Sequence, residues 1–306
     1  MEKMYKKILV PLDGSTTAEC ALPLVRGLAR RLALPVELLG VIDLREISRS
    51  VSAAEGLFLD RLLEDQSRGS AEYLAKIAKS LPAVAVTTRG EKGDAAEAII
   101  ETAAADKDTL IVMATHGRSG LNRFLLGSVA EKVLRATSNP LLLVKAAEPI
   151  VTAGEAPLTS IIVPLDGSEL AEKVLPSVEE LAKKLALEVM LIRAFAIPYG
   201  AYSTGDGFYD PVNLEAFLAQ LRTETFDYLE RKTEQLKRNG VASVSFVAKE
   251  GLGADEIIKF AREIPANIVA MSTHGRSGIK RWVLGSVTET VVRHSGDPVL
   301  VLRAAS

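Results

Sequence analysis

The chain has 306 residues, 48% hydrophobic and 25% charged, which is the composition of a folded protein of about two domains. Lys+Arg total 37 against 39 Asp+Glu, a formal charge of −2, so no single-sign field favours DNA, RNA or an anionic membrane as partner. A single cysteine, Cys20, excludes an intrachain disulfide, and it reads as a small residue on a buried helix face.

Met1–Lys7 carries charges before an apolar strand and lacks the long apolar stretch of a signal peptide. No apolar run approaches the roughly 18–20 residues of a membrane span, and a cytoplasmic protein without membrane attachment is expected. The predicted elements then alternate. Lys7–Leu12 is a short branched apolar strand. Ser15 to Ala33 has helical spacing of Leu22, Val25, Leu28, Ala29 and Leu32, with Pro23 predicting a late start or a kink. Strands follow at Val36–Ile42, Ala83–Thr88, Thr109–Ala114 and Pro140–Val144, separated by helices within Ala53–Ser80, Ala95–Ala105 and Ser128–Thr137. The second half repeats this order, with strands near Ile161–Leu165, Glu188–Ala194, Ala242–Ala248, Asn267–Ser272 and Pro298–Leu302. Such alternation predicts α/β architecture, a parallel sheet covered by helices on both faces.

The halves are copies. ILVPLDGS at Ile8–Ser15 returns as IIVPLDGS at Ile161–Ser168, seven of eight identical at an offset of 153. MATHGRSGLNRFLLGSV at Met113–Val129 returns as MSTHGRSGIKRWVLGSV at Met271–Val287, twelve of seventeen identical at an offset of 158. The Pro- and Gly-containing stretch Ala146–Thr159 reads as a connection, which places domains at 1–147 and 160–306 with a linker at 148–159.

Both repeated motifs follow strands, one and four of each half. If those strands are neighbours, both motifs face one crevice at the carboxyl ends of the sheet, where ligands bind in open α/β folds. Gly117 and Gly120 permit φ > 0 and close backbone approach, and Gly127-Ser128 opens a helix whose unpaired amides and dipole favour an anion such as phosphate. The same serines can be read differently: Ser128-x-x-Glu131 and Ser286-x-x-Glu289 have the capping-box pattern and would then only cap their own helices. Asp13 and Asp166 are either turn residues of an Asp-Gly pair or carboxylates that accept hydrogen bonds from a base or ribose. His116 and His274 read as turn residues rather than catalysts, and Arg118 and Arg276 are either solvated or within reach of phosphates. No P-loop, well-placed GxGxxG fingerprint, HExxH or GxSxG elbow is present, and three histidines with one cysteine do not make a common zinc cluster.

With Asp13 after strand one, Gly117 separated by nine residues from Gly127-Ser128, and Gly275 separated by nine from Gly285-Ser286, each half resembles the ATP-binding universal stress proteins, over essentially the whole chain. The resemblance implies two tandem doubly wound open sheets, each five-stranded and mainly parallel in order 3-2-1-4-5, an adenine nucleotide alpha hydrolase-like fold. It implies an ATP site, with or without Mg, built in the first half from Pro11, Asp13, Ser15, Val41, Met113, Gly117, Arg118, Gly127, Ser128 and Val129. In the second half it implies Pro164, Asp166, Ser168, Ala194, Met271, Gly275, Arg276, Gly285, Ser286 and Val287. Ala114 and Ser272 stand where the pattern has its first glycine, a departure that would crowd a ligand unless their small side chains are tolerated. Family members pair through their last strands, so Pro140–Val144 and Pro298–Leu302 are expected at an intrachain pseudo-twofold contact, alongside homodimerisation and a protein partner that the sequence does not specify. The implied function is a nucleotide-sensing stress-response module with no catalytic residues, in which ATP orders the loops 118–126 and 276–284; a slow ATPase and a scaffold without nucleotide are the alternatives.

Overall fold

A computed structural model of the chain describes residues 4–44, 59–81, 85–116, 126–146, 150–196, 211–273 and 285–303, in two compact units. The first holds β1 (Lys7–Pro11), α1 (Thr16–Glu19), α2 (Leu22–Leu32), β2 (Val36–Ile42), α3 (Leu59–Lys79), β3 (Val86–Lys92), α4 (Ala95–Ala104), β4 (Thr109–Ala114), α5 (Ser128–Ala136) and β5 (Leu141–Val144). The second holds β6 (Ser160–Pro164), α6 (Glu169–Glu172), α7 (Leu175–Leu185), β7 (Glu188–Phe195), α8 (Pro211–Arg238), β8 (Val244–Glu250), α9 (Gly253–Glu263), β9 (Asn267–Thr273) and α10 (Ser286–His294). The last strand, β10 (Val299–Arg303), belongs to the first unit.

The first unit orders its strands β3-β2-β1-β4-β5-β10. All neighbours are parallel except β10, which runs antiparallel to β5 with Val299 opposite Leu143 and Val301 opposite Leu141. The second unit orders β9-β6-β7-β8, all parallel. The expected order 3-2-1-4-5 is thus present in the first unit. The chain enters each sheet at its middle, β1 lying between β2 and β4 and β6 between β7 and β9. Central strands β4, β5 and β6 are buried at every position, as apolar runs covered on both faces must be.

Three local departures from expectation have physical causes. The helix predicted from Ser15 is two helices. Ser15 Oγ caps the four-residue α1 by accepting from Ala18 N, the chain turns at Cys20, and α2 starts afresh with Pro23 in its first turn, where no amide is needed. Strand β3 lies at Val86–Lys92, further along than the apolar segment Ala83–Thr88, part of which lies outside the described residues. As an edge strand it exposes one side, so Arg89, Glu91 and Lys92 fit while the ladder runs from Val36↔Val86 to Ile42↔Lys92. Strand β8, the other edge, is displaced in the same direction.

The segment after β5 is fastened to α2. Arg26 donates through Nε to Ser80 O, through Nη1 to Thr152 O and Gly154 O, and through Nη2 to Ser80 Oγ. Arg30 holds Glu155 through two bonds of 2.8 and 2.7 Å, and Ala156 N donates to Pro23 O. The half-buried Arg26 therefore joins α2, the end of α3 and residues 152–154. Arg26→Ala is expected to cost about 1–3 kcal/mol in chemical denaturation and to speed proteolysis within 150–157.

Candidate functional site

Because β1, β2 and β4 are parallel neighbours, Asp13, Val41 and Met113 all come to the carboxyl edge of the first sheet. The adjacency of strands one and four on which a shared crevice depends is present in both units.

The two aspartates are built identically. Asp13 Oδ1 accepts from Ser15 N at 2.9 Å and Ser15 Oγ at 2.6 Å, and Asp166 Oδ1 accepts from Ser168 N and Oγ at the same distances. The glycines between them need left-handed backbone, φ 84° at Gly14 and 90° at Gly167. The turn reading of Asp13 and Asp166 is therefore correct, and it also fixes each carboxylate just beyond the end of a central strand. Pro11 and Pro164 end β1 and β6.

The capping-box reading of Ser128 and Ser286 is not. Gly127 and Gly285 are the N-caps of α5 and α10, the serines sit one position further in, and among the described residues no side chain caps either helix. Glu131 and Glu289 accept from Arg135 and Arg293 one turn further on. Among the described residues, the first amides of both helices, Ser128-Val129 and Ser286-Val287, thus meet no acceptor, the arrangement that favours an anion.

The two openings differ in one respect. Gly127 N donates to Thr115 O at 2.9 Å, and a Cβ on Gly127 would stand 3.0 Å from that same carbonyl. Gly127 is small because α5 starts against the backbone of the β4 end. Among the described residues, a Cβ on Gly285 would meet nothing nearer than Thr288 Oγ1 at 4.0 Å.

His116, next to this start, shares a 3.0 Å hydrogen bond between Nδ1 and Thr115 Oγ1, while its buried Nε2 has no partner. Burial, then the Lys145 charge, lowers its pKa below the ordinary imidazole value, so the ring is neutral at pH 7. The Cys20 thiol is pushed up to about 12 by burial, consistent with a packing role.

Of the residues implied by resemblance, Met113 and Met271 are buried at the ends of β4 and β9, and Val41 and Ala194 are half-buried near the ends of β2 and β7. Gly117, Arg118, Gly275 and Arg276 lie outside the described residues, as do His274 and most of the loops 118–126 and 276–284. The departure at Ser272 has a local explanation. Its hydroxyl donates to Leu170 O on α6 at 2.5 Å and is spent on holding that helix to β9.

Sequence reasoning missed a pair of tyrosines. Tyr73 Oη donates to Glu19 at 3.1 Å and Tyr228 Oη to Glu172 at 2.9 Å, each joining a long helix to the short helix after the aspartate turn. Glu19 and Glu172 share the 153-residue offset of the first motif, the signal by which the pair was findable.

Comparison with known proteins bears on the whole chain. The model of the universal stress protein family matches residues 4–145 and again 158–303. The chain belongs to the universal stress protein family. As a universal stress protein with two such matches it aligns with shorter relatives over about half its length. Two universal stress proteins of Methanocaldococcus jannaschii are 33% and 34% identical, each over 47% of this chain and over 84% and 98% of their own. A universal stress protein of Mycolicibacterium smegmatis is 24% identical over 97% of this chain and 96% of its own. The crystal structure of a universal stress protein from Archaeoglobus fulgidus shares the fold across 100% of both chains, with a TM-score of 0.72 at 22% identity. Among the described residues no helix is long and apolar enough to cross a membrane.

Proposed function

We propose that this universal stress protein binds an adenine nucleotide, ATP or a close relative, at the carboxyl edge of its sheets and acts as a nucleotide-sensing stress-response module. The observation that carries the reading is the pair of uncapped openings of α5 and α10 at Gly127-Ser128 and Gly285-Ser286, each following the strand beside an aspartate turn. Bare helix amides suit phosphate oxygens, and a carboxylate fixed at Asp13 or Asp166 suits ribose hydroxyls. The donor set fits the nucleotide without side-chain cations from the described residues, and Arg118, Arg276 and a bound Mg would add charge. The nucleotide's contribution is binding energy for one arrangement of the motif loops over another, the requirement for any ligand-driven switch. The last-strand pairing of β5 with β10 is the intrachain form of the contact by which two such domains would make a pseudo-dimer.

The test is the melting temperature of protein stripped of nucleotide, with and without Mg-ATP. A ligand that binds only the folded state adds RT ln(1 + [L]/Kd), about 2.7 kcal/mol at a hundredfold excess. The expected result is an upward shift at millimolar Mg-ATP that shrinks in Asp13→Ala. No shift in the wild type would return the motifs to turns and helix starts alone.

A further inference from the structure

The two crevices differ at one strand position. Val36 stands opposite Ile8 and Val189 opposite Ile161, and the two isoleucines are equivalent in the repeat, so Gly40 of β2 corresponds to Arg193 of β7. In the first unit a Cβ at Gly40 would lie 2.6 Å from Ser70 Oγ and 3.2 Å from Leu74 Cδ1, because α3 packs directly on the strand there. A larger side chain is blocked there, so no guanidinium can stand at this strand position of the first unit.

In the second unit the same position sends a guanidinium over the aspartate turn. A Cβ on Gly167 would stand 3.3 Å from Arg193 Nη2 and 3.4 Å from Cζ, so the guanidinium covers the glycine between Asp166 and Ser168. Its other contact is the Tyr228 ring, whose centroid lies 5.0 Å from Cζ. That ring is itself fixed. Tyr228 Oη donates to Glu172, and Lys232 Nζ holds the same carboxylate at 2.6 Å while lying 5.8 Å from the ring centroid. Among the described residues no acceptor takes a hydrogen bond from Arg193, so the cation is placed by stacking on Tyr228 and by its packing over Gly167.

We propose that Arg193 is a specificity-determining residue that closes the second crevice to the adenine nucleotide admitted by the first, so that the chain carries one nucleotide and not two. The proposal rests on the nucleotide reading above. A ribose seeking Asp166 must take the place of a preorganised cation that lies against the same turn, and must lift it from Tyr228. Cation–π contacts of this kind change an equilibrium by roughly 3- to 30-fold, so the second site is weakened by on the order of tenfold before any steric cost. Phosphate attraction does not offset this. The helix opening at Gly285 follows β9, and Arg193 stands at the end of β7, with β6 between those strands.

The test counts Mg-ATP bound per full-length chain by equilibrium dialysis at fixed protein concentration, in wild type, Arg193→Gly and Arg193→Ala. Arg193→Ala keeps a Cβ on the strand and guards against a glycine-induced loss of fold, which the melting curve checks. The expected result is one additional equivalent in either variant, lost again when Asp166→Ala is combined with it. An unchanged count in both folded variants overturns the proposal, as do two equal sites in the wild type. The wild-type count separately judges the preceding reading: a rise from none to one still supports the role of Arg193 while removing the first site, and none in every protein overturns both.

Discussion

Gly127→Val is expected to lower stability by about 2–4 kcal/mol, whereas Gly285→Val costs about 1 kcal/mol. Both substitutions replace a tolerated N-cap with a poor one, at about 1 kcal/mol each. Among the described residues, only at Gly127 does the new Cβ meet backbone, 3.0 Å from Thr115 O, and backbone at the end of a buried strand cannot rotate away as a side chain can. Overpacking of that kind adds about 1–3 kcal/mol. Urea denaturation of both variants checks the contrast, and equal losses would refute it. The difference also decides how ligand data are read: a weakened nucleotide response in Gly127→Val is entangled with a shifted helix.

Asn139→Ala is expected to cost about 2–4 kcal/mol, because one buried amide holds three backbone carbonyls, Ala103 O, Asp106 O and Thr109 O. The second unit does the same job from the start of β9 instead of the turn before β5. Asn267, equivalent to Thr109, donates to Ala261 O and Ile264 O, the counterparts of Ala103 O and Asp106 O, and also to Asp297, the counterpart of Asn139. This exchange leaves two buried acceptors, Asp297 Oδ2 and Asn267 Oδ1, without donors. Burial raises the Asp297 pKa above its ordinary 3.8, against the Asn267 hydrogen bond and the Arg262 charge, which lower it. The folded state therefore holds this proton more tightly than the unfolded chain, so the associated stability is complete below 3.8 and is lost as pH rises through the raised folded value. Asp297→Asn supplies donors and removes the titration. It is expected to stabilise the protein at pH 7 by about 1 kcal/mol and to flatten the stability–pH curve above pH 4, measured as Tm across a pH series. A lower Tm at pH 7 would show that the ionised carboxylate is satisfied in solution.

The repeats carried most of the fold and pointed to the candidate site. Strand positions Val36–Ile42 and Thr109–Ala114 were readable because apolar, branched residues in a doubly covered sheet leave no other assignment. Val86–Lys92 was harder, since an edge strand has one free side and its charges mimic a loop. The local geometry at the serines was ambiguous for a different reason. S-x-x-E is a capping box only if the serine is the last non-helical residue, and Gly127 and Gly285 took that position first. The closure of Gly167 by Arg193 lay beyond any motif, because it joins a turn, a strand end and an α8 tyrosine that are far apart in sequence.

The pairing of Val299–Val301 with Leu141–Leu143 has a consequence for synthesis on the ribosome. At about 5–20 residues per second, β5 waits roughly 8–30 s for its partner to emerge. Throughout that time Leu-Leu-Leu-Val is an apolar border with unused amides and carbonyls, the kind of border that recruits strands from neighbouring nascent chains. A messenger truncated before Val299 would make that exposure permanent, so chaperone demand is set by the final stretch of translation and not by the first domain's own folding speed.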